Sequence, residues 1–170
     1  VLVERAFWDI YYEHSSYFTL ASLARLFRAT GFDVHALWKA YAGQYLMIEA
    51  RPAAGPTPPR LPEEDDLAKT RAQVRSFRDG IREDLARLRA EVEGWKAWGR
   101  RVAIWGSGSK GVSYLTTLGL RGEIDAVVDI NPHKWGKFLA GTGHEIVGPD
   151  ALKLIRPDVV VVMNPIYVED

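Results

Sequence analysis

Apolar positions change their spacing several times along the chain, and each change predicts a different element. Residues 1–12 mix apolar and aromatic side chains without a clear period and run into the polar cluster Tyr11, Tyr12, Glu13, His14, Ser15, Ser16. Leu20, Leu23, Ala24 and Phe27 then recur at helical spacing. Thr19 ahead of them suits a helix cap and Gly31 behind them a helix stop, so a helix is expected to about Thr30. Residues 32–40 and 44–51 read as strands; with only Tyr41, Ala42 and Gly43 between them, they are expected to form an antiparallel hairpin. Residues 52–62 hold five prolines in eleven positions. Proline lacks an NH donor and restricts the residue before it, which excludes helix and central strand and marks a linker.

Helical spacing returns over residues 63–98, where Leu67, Val74, Phe77, Ile81, Leu85, Leu88, Val92 and Trp95 make one stripe. Glu63, Glu64, Asp65 and Asp66 open this segment, where negative charge favours a helix N-terminus. One stripe implies one buried face, packed on the rest of the chain or forming a coiled-coil seam. Beyond Gly99, short apolar runs alternate with turns: strand 101–105, helix 112–118, strand 124–129, loop 131–143, a short strand or turn near Ile146, helix 149–154 and strand 158–163. Runs such as AVVDI and VVVVM, apolar throughout, belong in a parallel sheet buried on both faces. The expected class is α/β, with a Rossmann-like parallel sheet over residues 99–170 preceded by a long helix.

Composition narrows the partners. Lys plus Arg and Asp plus Glu both number 22, so the formal net charge is zero, without the clustered basic excess that nucleic acid or an anionic membrane draws. There is no cysteine, which excludes disulfides, thiolate zinc sites and cysteine nucleophiles. No apolar run approaches the roughly 20 residues needed to span a bilayer, and a soluble, cytoplasmic protein is expected. The chain starts at Val1 rather than methionine and stops soon after an apolar strand, which suggests a piece of a longer polypeptide.

Two places carry candidate chemistry. In VAIWGSGSKG, Gly106, Gly108 and Gly111 have G-x-G-x-x-G spacing between a strand and a helix, and Lys110 lies within the turn. Unpaired amides and the helix dipole make such a turn a cradle for an anion. At the same sheet edge Asn131 and Asn164 (the latter in the turn Asn164, Pro165) are candidate substrate contacts. Asp129, 18 residues past Gly111, stands near where a dinucleotide fold places its ribose acid, so an NAD(P)-binding oxidoreductase domain is the alternative. A non-catalytic interaction module built on the long helix is another. The second place is Tyr11, Glu13 and His14, since a histidine beside a carboxylate can exchange a proton near neutral pH. His35 and His144 lack ligand-spaced partners, and no metal is assigned; His133, Lys134, Trp105 and Trp135 lie where they could flank a ligand.

These residues also carry a resemblance. DIYYEHSSYFTLASLARLFRATGFDV resembles the closing part of the class I methyltransferase domain of C-methyltransferases that act on keto-deoxysugar nucleotides. VAIWGSGSKG, AVVDINPHKWGKFLAGTGHEIVGPDAL and RPDVVVVMNP resemble their C-terminal Rossmann-like domain. The resemblance implies that residues 1–51 end a catalytic domain, 52–62 are a linker, 63–98 a bridging helix and 99–170 a substrate-side domain. It implies a methyl group moved from S-adenosylmethionine to a carbon next to a ketone, with His14 as general base and Glu13 and Tyr11 orienting it or bonding the oxyanion. The cofactor motif, and zinc where the family carries it, are expected upstream, so no cofactor or metal ligand is assigned here. The implied partner is a small anionic substrate such as a nucleotide-sugar. One departure stands out: where the family reads H-G-G-S-L-R, this chain has Tyr41, Ala42, Gly43, Gln44, Tyr45, Leu46, without the His and Arg.

Overall fold

A computed structural model describes residues 1–55 and 58–164. Pro165, and with it the second half of the expected Asn164–Pro165 turn, lies outside the described residues, as do positions 56 and 57 of the proline-rich stretch. The chain divides into two compact units, His14–Arg75 and Val1–Glu13 with Ser76–Asp170. The first thirteen residues therefore pack with the second half of the chain, a long-range association.

In the His14–Arg75 unit, helix α1 (Leu20–Ala29) begins at Thr19 with a reciprocal cap: the Ser22 amide donates to Thr19 Oγ1 at 3.1 Å and the Thr19 amide to Ser22 Oγ at 2.8 Å. It ends before Gly31, which takes the left-handed φ of +88°. Strands β1 (Phe32–Ala40) and β2 (Tyr45–Pro52) pair antiparallel, with a register shift between Val34 and Ala36. The connecting turn puts Tyr41, Ala42 and Gly43 at positive φ, and Tyr45 stands edge-on to Tyr41 at 5.6 Å. Ala24, Val34 and Leu37 form the core beneath Leu20, Phe27, Ile48 and Leu61.

Helix α2 (Leu67–Ala97) starts later than the expected residue 63. Pro62–Glu64 form a 3-10 turn instead, because the Glu64 carboxylate turns to Arg28 and to the Leu61 amide. Ile81, Leu85, Leu88, Val92 and Trp95 of the stripe enter the core of the second unit, while Leu67 and Val74 are half exposed. Most of the stripe is thus used within the chain.

That second unit is a four-stranded parallel sheet in the order β5-β4-β3-β6, made of β3 (Val102–Trp105), β4 (Ala126–Val128), β5 (Ile146–Val147) and β6 (Val159–Val162). Val102, Ile104 and Val127 are fully buried, as strands covered on both faces require. Helix α3 (Ser109–Leu118) starts three residues before the expected 112, since the glycine turn closes directly into its first turn. The helix expected over 149–154 is a 3-10 turn, Pro149–Ala151, running into the one-turn helix α4 (Leu152–Ile155). Residues 1–13, which show no period in sequence, contain a short 3-10 helix, Phe7–Asp9. Phe7 stacks on Tyr114 of α3 with ring centroids 5.9 Å apart, and burial pushes the Tyr114 hydroxyl pKa up to about 12.

Candidate functional site

Parallel strands deliver their C-terminal turns to one edge of a sheet, and ligands bind there in open α/β folds. At this edge β3 ends in Gly106, whose amide donates to Val128 O at 2.8 Å and whose φ of +114° suits glycine. Gly108 then precedes α3 in extended conformation, and the first intrahelical bond runs from the Val112 amide to Gly108 O at 3.1 Å. A Cβ on Gly111 would lie 2.4 Å from Gly106 O, so only a hydrogen lets the turn close on the helix. This gives the third glycine its reason: packing of backbone on backbone.

Asp129, at the end of β4, organises the turn from within. Its Oδ2 accepts from the Ser107 amide at 3.1 Å, from the Ser107 hydroxyl in a short bond, and from Lys134 Nζ at 2.8 Å. Its Oδ1 accepts from the Asn131 amide at 2.9 Å, and its carbonyl from Trp135 Nε1 at 2.7 Å. Burial alone would raise the carboxyl pKa, but the bonds from Lys134, Ser107 and Asn131 outweigh it and hold the group at about 2. Both oxygens of the residue in the ribose-acid position therefore accept bonds from within the protein.

Around the turn lies a cavity of about 580 Å³, whose wall includes Tyr11, Gly106, Gly108, Lys110, Gly111 and Asn164. These six residues thus meet at one opening with Trp105, Asp129 and Lys134, also singled out in the sequence, and with Met163. A second depression of about 590 Å³ shares Tyr11, Gly108, Ser109 and Lys134 with it and takes in Glu13. Asn131 lines neither cavity; its side-chain oxygen accepts from the His133 amide at 3.0 Å and caps the 3-10 turn Pro132–Lys134. His14 opens the other unit, where its ring stands edge-on to Tyr17 at 5.6 Å. The Lys110 ammonium, expected to face a ligand's anion, lies 3.0 Å from Asp9 Oδ1. The partners missed from sequence, Asp9 and Ser107, lie 101 and 22 positions from the groups they hold.

Among the described residues no group of three or more His, Cys, Asp or Glu could hold a metal, and no helix is long and apolar enough to cross a membrane.

Sheet order and glycine turn together define a Rossmann-like α/β domain. Residues 60–170 match the family of C-methyltransferase C-terminal domains, and the chain belongs to that family. It is also similar to the C-methyltransferase NovU of Streptomyces niveus, at 32% identity over 169 residues covering 93% of this chain. The alignment takes in 40% of NovU, so the chain spans about two-fifths of that relative's length.

Proposed function

We propose that the chain is the substrate-side portion of an S-adenosylmethionine-dependent C-methyltransferase that acts on a carbon next to a ketone. The observation that carries this reading is the placement of Tyr11, from the Y-x-E-H run, in the wall of the cavity at the sheet's carboxyl edge. The methyl donor is held by a part of the enzyme outside these residues. His14 takes the proton from the carbon beside the carbonyl, and the electrons left behind form an enolate, a carbon nucleophile. Tyr11 is a phenol whose proton can meet the developing oxyanion, and Glu13 is the carboxylate that orients or charges the histidine. The first-turn amides of α3 and Asn164 then face the polar, anionic part of a small substrate such as a nucleotide-sugar.

The test is His14→Ala in the full-length enzyme, assayed with a nucleotide-linked keto-deoxysugar. Loss of a general base lowers turnover by about 10²- to 10⁴-fold while donor binding, followed by calorimetry, stays unchanged. Methyl transfer at the wild-type rate would remove His14 from the mechanism.

A further inference from the structure

The 3-10 helix that anchors the leading segment ends at Asp9, and residues 10–13 continue without regular structure. No backbone ladder therefore fixes Tyr11 or Glu13. What surrounds them is the first half of α3. Lys110 Nζ reaches Asp9 Oδ1 at 3.0 Å, Ser113 Oγ donates to Ile10 O at 3.2 Å, and Ser109 Oγ donates to Glu13 Oε1 at 3.4 Å. Two of these contacts precede Tyr11 and one follows it, so Tyr11 is bracketed. The Lys110–Asp9 pair is the only contact of the three between opposite charges, and both side chains are about one-quarter exposed.

We propose that Lys110 is a positioning residue: from the first turn of α3 it holds the strap of residues 9–13 and so sets where Tyr11 and Glu13 stand. This rests on the reading of Tyr11 and Glu13 as active-site groups. A lysine in a glycine turn suggests a ligand for a substrate anion, but here its charge meets an internal carboxylate. The strap is thus held by one face of α3, and the geometry of the Y-x-E-H run depends on that helix.

The experiment compares Lys110→Met, Lys110→Arg and the exchanged pair Asp9→Lys/Lys110→Asp in the full-length enzyme. Turnover of a nucleotide-linked keto-deoxysugar is measured together with hydrogen exchange of residues 7–13. Misplacing a reacting group costs rate rather than ground-state affinity, so Lys110→Met is expected to lower kcat by about tenfold or more with KM nearly unchanged. Exchange over residues 7–13 should rise in the same variant. Lys110→Arg should keep both properties, and the exchanged pair should recover part of each although position 110 has lost its cation. Three results would overturn the proposal: KM rising with kcat and exchange unchanged, exchange unaffected in Lys110→Met, or no recovery in the exchanged pair. If the wild-type enzyme transfers no methyl group, the functional reading falls, while the exchange data still decide whether Lys110 holds the strap.

Discussion

Each unit fastens an irregular segment to its helices through charged joints, among them Arg5–Asp84 and Arg25–Asp66, and two others, Arg28–Glu64 and Lys110–Asp9, are built differently. In the His14–Arg75 unit, Arg28 of α1 donates from Nε to Glu64 Oε2 at 3.1 Å and from Nη2 to Oε1 at 2.8 Å. Its guanidinium also reaches Pro58 O at 3.4 Å and Pro59 O at 3.3 Å, drawing part of the proline-rich stretch onto the helix. The Glu64 side chain is 2% exposed; burial would raise its pKa, but Arg28 and the Leu61 amide hold it below the ordinary carboxylate range. In the other unit Lys110 meets Asp9 through a single part-exposed contact. A forked, buried joint holds architecture, because losing one partner strands a charge without water. A single part-exposed joint adds little to stability and leaves position as its main effect.

That contrast can be broken by removing each joint in turn. Arg28→Met should have the largest effect on stability, about 3 kcal/mol, read as a lower denaturant midpoint. A change no larger than that for Lys110→Met would mean that the two joints are equivalent. Gly111→Ala, which pushes a methyl onto Gly106 O, should cost about 1 to 3 kcal/mol and disturb the turn itself. A smaller effect, on the order of 1 to 2 kcal/mol, belongs to Asp129. Its folded pKa of about 2 lies below the ordinary 3.8, so its stabilisation is complete above about pH 4 and is lost as the pH falls towards 2. Asp129→Asn should flatten the acid limb of a stability-versus-pH curve in that window; an unchanged limb would show that the network contributes nothing there.

Local chemistry accounts for what could be read in advance. The Thr19 cap, the Gly31 stop, the two hairpin strands and the apolar parallel strands all follow from neighbouring residues, and the structure contains each of them. The start of α2 was misplaced because Glu63 to Asp66 suit a helix N-terminus locally, while Glu64 is claimed by Arg28, 36 positions away. The meeting of Gly106, Gly108, Lys110 and Gly111 at one cavity was legible from the order strand, glycine turn, helix. Placing Tyr11 in the same wall was not, since residues 1–12 show no period and their 3-10 helix is stabilised by Phe7 packing on Tyr114. Asn131 shows another local effect: an asparagine before proline suits capping its own turn, and its side chain makes that bond.

The close contact of Gly111 with Gly106 O also has a dynamic consequence. A turn seated directly on a helix cannot widen unless α3 shifts as a whole, and α3 is buried through Leu115 and Leu118. In the same cavity wall is Tyr11, carried on a strap with no ladder of its own. Of the residues that line this cavity, the glycine turn is therefore the part that backbone packing holds fixed.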